Sequence, residues 1–226
     1  MKTLTSYINE DFKISKTTKL NIQKPKTCAE LRDIVNQRYA ENGNVIDLRD
    51  VDVSEIENFT YPNPLQITGA KTRSKGLFEG LEYVIEININ GWKTEQAKGF
   101  DYMFYDCINL RRIIGIENIK TDSVERLRHM FESCQELRSL DLSKWNVSRV
   151  ETMHSMFRSC IHLKTLDLST WKYSKNLESI SRMFQDCREL ETVKGINELN
   201  KQLVSVYYQD DVYKGCVNLK DRNVIT

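Results

Sequence analysis

Several things are scarce or absent in this 226-residue chain, and each absence removes a class of protein. No apolar run approaches the roughly 18 to 20 residues needed to span a bilayer. The start, Met1 to Glu10, lacks the apolar stretch of a secretory signal peptide. The chain is therefore expected in the cytosol of the cell that makes it or assembled into a larger particle, such as a virion. Charge of one sign is missing too: 33 Lys and Arg face 32 Asp and Glu, for a net charge of +1. Nothing global draws such a protein to nucleic acid or an anionic membrane, so any electrostatic recognition is local. No Gly-x-Gly-x-x-Gly and no Gly-Lys-Ser occurs, which removes the common phosphate-binding loops. No Cys-x-x-Cys occurs either, so the paired short-range ligands of a zinc site are lacking and neither metal nor cofactor is expected.

Cysteine itself is plentiful and periodic. Cys107, Cys134, Cys160, Cys187 and Cys216 are separated by 27, 26, 27 and 29 residues. Each lies in the same phrase: Met103-Phe104-x-x-Cys107-x-x-Leu110, Met130-Phe131-x-x-Cys134-x-x-Leu137, Met156-Phe157-x-x-Cys160-x-x-Leu163, Met183-Phe184-x-x-Cys187-x-x-Leu190 and Val212-Tyr213-x-x-Cys216-x-x-Leu219. Self-similarity at this period marks a stack of small units, none able to bury a core alone. Five cysteines at one template position form a structural column of reduced, buried thiols, since a free Cys behaves as a small hydrophobe. Cys28 stands apart from it.

Within a unit, Leu137-x-x-Leu140-x-Leu142 alternates as a short strand. Val150, Met153, Met156, Phe157 and Cys160 recur at a spacing that predicts a short helix, with Ser148 and Glu151 as its capping box. Trp92, Trp145 and Trp171 precede the following Met by 11, 11 and 12 residues and read as core. Asp141-Leu142-Ser143 and Asp167-Leu168-Ser169 organise the strand exit through local hydrogen bonds. The array extends back through Leu77-Phe78-x-x-Leu81, with an insertion at about residues 60–75 that carries Pro62 and Pro64.

Three parts follow. Residues 1–26, with six Lys against Glu10 and Asp11, read as a tether or address segment. Residues 27–44 form an N-terminal cap helix from Thr27 to Glu41, with Leu31, Ile34 and Val35 inward and Asn42-Gly43 as its stop. Residues 45–226 form the repeat array, and Leu219 to Ile225 would supply a last strand.

The repeated phrase Met-Phe-x-x-Cys-x-x-Leu-x-x-Leu-Asp-Leu-Ser-x-Trp resembles the BspA-like leucine-rich repeats, over about residues 45–225. The resemblance implies an α/β repeat solenoid with short parallel strands on a concave face and short helices on a convex face, and a role in adhesion or protein binding. The opening Met1 to Glu10 is similar to short N-terminal segments that accompany virion or packaged proteins of some tailed phages.

Candidate chemistry is sparse. His129, His154 and His162 fall at different offsets of the repeat and read as solvated residues, so no catalytic set is expected. The position after each recurrent Leu is the better candidate: Arg111, Arg138, Lys164, Glu191 and Lys220. Strands lie about 4.8 Å apart, and like charges at that spacing repel by roughly 0.9 kcal/mol even in water. Either these side chains present a binding surface to a protein or an acidic glycan, or Glu136, Asp141, Asp167 and Glu189 neutralise a solvated face. The overall expectation is a non-enzymatic binding scaffold, with a phage structural or packaged protein as the alternative.

Overall fold

The computed structural model describes residues 22–62, 73–202 and 205–220. The helix α1 (Cys28–Asn42) comes first, and Thr27 caps it by accepting the Glu30 amide at 3.2 Å. Gly43, at φ +67°, ends it by donating its N–H to the Tyr39 carbonyl. Leu31 and Val35 are buried, and Ile34 and Tyr39 pack at the margin of the core. Arg38 pairs with Asp50 at 2.5 Å, and the Arg32 guanidinium donates to the Leu77 carbonyl at 2.6 Å, tying the helix to the first repeats.

Short strands form where the Leu-x-Leu alternation places them. A parallel sheet contains β1 (Val45–Asp47), β4 (Glu86–Asn88) and β5 (Arg112–Ile114), in register through Ile46, Ile87 and Ile113. A second contains β6 (Ser139–Leu140), β7 (Thr165–Asp167) and β8 (Thr192–Lys194), aligned through Leu140, Leu166 and Val193. Each aligned residue points into the core and its neighbours point out, the period of two that a half-buried strand requires. Between β1 and β4, the antiparallel pair β2 (Thr60–Tyr61) and β3 (Lys75–Gly76) forms the base of the insertion, whose residues 63–72 lie outside the described ones.

A second ladder runs behind the strands without interruption. Parallel bridges link Asn58, Gly99, Arg126, Thr152, Ser179 and Tyr208 in succession. The first step spans 41 residues and contains the insertion; the others span 26 to 29. This ladder bridges the gap between the two sheets, so all the repeats share one register.

The expected helices of the repeats do not form. From Phe100 to Leu110 the chain makes successive turns: Met103 N–H bonds to Phe100 O, Cys107 N–H to Phe104 O and Leu110 N–H to Cys107 O. Alternate amides leave the repeat, while Tyr105 N–H stays within it on Tyr102 O. Phe104, Phe131, Phe157 and Phe184 donate to Met130, Met156, Met183 and Val212, each at 2.9 Å. This alternation needs left-handed backbone, found at Tyr102, Asp106, His129, Ser133, Ser155, Ser159, Arg182, Asp186 and Asp211. Asp, one of the types that tolerate φ > 0 best, recurs there at positions 106, 186 and 211. The spacing of three in Val150, Met153 and Met156 is thus the step of a turn. Ser148 caps no helix, and its N–H donates to Asn146 Oδ1 in a local turn.

The core is a set of columns. Phe78, Phe104, Phe131, Phe157, Phe184 and Tyr213 stack with centroids 5.1 to 6.0 Å apart and planes within 6°. Each cysteine of the series is buried and unbridged, and its thiol donates backward across one repeat, from Cys107, Cys134, Cys160, Cys187 and Cys216 to the carbonyls of Phe78, Phe104, Phe131, Phe157 and Phe184 at 2.8 to 3.1 Å. Burial pushes the Cys107 thiol up to about 12 and those of Cys134, Cys160 and Cys187 upward too. The tryptophans behave alike: the indole N–H groups of Trp92, Trp145 and Trp171 reach the carbonyls of Leu48, Ile116 and Leu142.

The segment read as a tether lies outside the described residues up to position 21, but Gln23 already bridges to Val51. The repeat body therefore includes Gln23, inside the 1–26 segment. Of the expected last strand, Leu219 and Lys220 are described, and Lys220 N–H continues the ladder to Glu191 O.

Gly76 gives a direct check on this packing, because a Cβ there would lie 1.8 Å from the Tyr102 carbonyl oxygen. Gly80, at φ +74°, has open space around it. Gly80→Ala should cost the left-handed penalty of about 1 to 2 kcal/mol. Gly76→Ala should cost more than about 2 kcal/mol, because backbone has to move. Urea melts of the two variants, ranked in that order, are the expected result.

Candidate binding surfaces

The strand approach carries the charged column. Arg138, Lys164, Glu191 and Lys220 follow one another through backbone bonds: Lys164 N–H to Arg138 O at 3.3 Å, Glu191 N–H to Lys164 O at 2.9 Å and Lys220 N–H to Glu191 O at 3.0 Å. Arg111 donates its N–H to Ile85 O and occupies the same place in the upper sheet. All five side chains are exposed.

Part of their charge is met locally. Glu136 lies 3.7 Å from Arg111 and 3.6 Å from His162, while Glu189 lies 2.9 Å from His162 and 3.9 Å from Lys164. Such exposed pairs contribute about 0 to 1 kcal/mol each. Arg138 forms no ion pair among the described residues. Asp141 and Asp167 serve elsewhere: the hydroxyl and amide of Ser143 and Ser169 hold their carboxyls below the usual range, and these contacts shape the strand exit. Arg112, next to the column, pairs with Glu86 of the preceding strand. Sequence reasoning passed over it because it belongs to the strand itself.

A second surface lies along the rear ladder and was not anticipated. In three successive repeats the bridge residue and the one two places later line it: Thr152 and His154, the nearly covered Ser179 and Ser181, and Tyr208 and Asp210. They line an open groove of about 460 Å³, with Tyr102, His129 and Arg182 at its margin. The imidazole of His129 stacks on Tyr102, with centroids 4.5 Å apart and planes 7° apart, and meets His154 edge-on at 5.0 Å. The Arg73 guanidinium covers Tyr102 at 3.9 Å and is held by Glu79 at 2.8 Å.

Most of the nearby charge is spoken for. Arg128 bonds to Asp101 at 2.7 Å, and the nearly buried Glu132 receives both His129 and Arg158. Arg182, Glu178 and Asp210 form no ion pair among the described residues. His129 and His154 read as solvated residues in the sequence because they sit five and six residues before their cysteines; the backbone register, in which His129 N–H donates to His154 O, shows that the two offsets adjoin. Among the described residues no group of three His, Cys, Asp or Glu is placed to hold a metal. No described helix is long and apolar enough to cross a membrane.

Burial, reinforced by His129 and Arg182, holds the His154 imidazole below its usual 6.5. Its unfolded state then binds more protons between the two values. The His154 contribution to stability is complete above about 6.5 and is lost as pH falls through the folded value. Melting temperature should fall between pH 7 and 5 more steeply in the parent than in His154→Gln; equal slopes would remove His154 as the cause.

A family model described as Mycoplasma protein of unknown function, DUF285, matches residues 72–199, more than half of the chain. Neither the curated proteins nor the solved structures give a match.

Proposed function

We propose that this chain, which belongs to the DUF285 family, is a non-enzymatic binding scaffold: a leucine-rich-repeat type of solenoid that engages an acidic protein segment or acidic glycan through its strand-side charged column. The observation that carries this reading is the stacking of Arg138 and Lys164 in successive repeats, joined by a backbone bond, with Arg111 at the same place in the sheet of β1, β4 and β5 and Arg138 without an ion pair among the described residues. Folding gains nothing from like charges brought that close, and the core beneath would be the same with serine there. A partner that supplies carboxylates or sulfates at a similar repeat would convert the repulsion into attraction, and its affinity would fall with salt.

The test uses defined polyanions. Immobilised polyglutamate and heparin should bind the parent in a salt-sensitive manner, and changing Arg111, Arg138 and Lys164 together to Ser should weaken that binding by about tenfold or more, equivalent to about 1.4 kcal/mol. The melting temperature should not drop. Unchanged affinity for both polyanions would reject this surface.

A further inference from the structure

The groove on the rear ladder lies away from the charged column and has different chemistry. Its floor is made of short hydroxyl side chains, Thr152, Ser179 and Ser181, which leave room between flanking rings. Tyr208 stands at one end with 59% of its surface exposed, and the Tyr102–His129 stack stands at the other. Glu178, Asp210 and Arg182 border the groove with no ion pair among the described residues. His154 is half-buried and makes no ring hydrogen bond among them.

Each of these features narrows the ligand. Two carboxylates against one guanidinium, with Arg128 already held by Asp101, offer no excess positive charge, so a phosphate or sulfate polymer is not favoured. An added peptide strand has no free edge here: Met153 N–H bonds to Ser179 O, Ser155 N–H to Ser181 O and Ile180 N–H to Tyr208 O, so the backbone of the floor is already paired. The floor also has no apolar pocket to anchor a side chain. What remains is a ligand dense in hydroxyls with flat C–H faces. A carboxylate accepts hydrogen bonds from two hydroxyls, a guanidinium donates two N–H groups to adjacent oxygens, and an exposed ring's negative face attracts polarised C–H bonds. The volume lies within the range of about 300 to 1,000 Å³ usual for small-ligand sites.

We propose that this groove is a binding site for a neutral saccharide, with Tyr208 as the stacking platform, Asp210 and Glu178 accepting sugar hydroxyls and Arg182 donating to them. The site is independent of the polyanion surface, so either can fail without the other.

Calorimetric titration of the full chain with maltohexaose, mannohexaose and chitohexaose tests the assignment, with the ring resonances of His129 and His154 followed by NMR. At least one of the three should bind with a Kd tighter than about 1 mM and shift those resonances. Asp210→Asn and Tyr208→Ala should each weaken it by about tenfold, the loss of a hydrogen bond to a charged group or of a stacking contact. Both variants should melt with the parent, since these side chains are exposed. The triple serine variant of the strand side should bind the sugar unchanged. No binding by any of the three sugars, or binding that survives both groove substitutions, overturns the proposal. So does polyglutamate that binds and loses affinity on Arg182→Gln, which would make the groove a peptide site.

Discussion

The buried carbonyl of the recurrent phenylalanine sets the terms for the rest of the molecule. With two lone pairs and no access to water, it has to be satisfied inside the protein. The Phe104 oxygen accepts Cys107 N–H from its own turn and Cys134 S–H from the next repeat, and Phe131 and Phe157 repeat the arrangement. A thiol is small enough to fit beneath the ring stack and still donates weakly, which alanine and valine do not. The first phrase carries Leu81 in place of cysteine. In the preceding repeat the Phe59 carbonyl accepts Leu77 N–H. Every stacked ring, at about 0.5 to 1.5 kcal/mol beyond burial, depends on the same register.

That register decides what the two faces can present. Side chains from successive repeats meet at strand spacing on the front, where Lys164 follows Arg138, and on the rear, where His129 meets His154. A repeat that buries its apolar positions identically leaves its outward positions free to differ. The front column is mostly cationic, while the rear groove combines hydroxyls, imidazoles and both signs of charge. One scaffold can therefore carry two recognition surfaces of unlike chemistry.

Much of this was legible in the chain because packing repeats at fixed intervals. The thiol column, the inward tryptophans, the α1 helix with its Thr27 cap and the Asp-Leu-Ser turns all follow from template position. The turns behind each strand were misread, since Val150, Met153 and Met156 fit a helical face as well as a three-residue turn. What separates the two is backbone sign at Ser155 and Ser159, and serine announces no such preference strongly. The rear groove was hidden for a related reason. His129 and His154 differ by one place relative to cysteine, and a template anchored on cysteine assigns them to separate columns.

The central claim is that hydrogen bonds between repeats, rather than structure within each repeat, hold this molecule. Native-state hydrogen exchange measures this directly at the amides of Phe104, Phe131, Phe157 and Phe184, which donate outward across the repeat boundary. These four should exchange together, at the rate of global unfolding. Exchange at these amides long before those of Cys107 and Cys134, which donate within their own turns to Phe104 and Phe131, would contradict it.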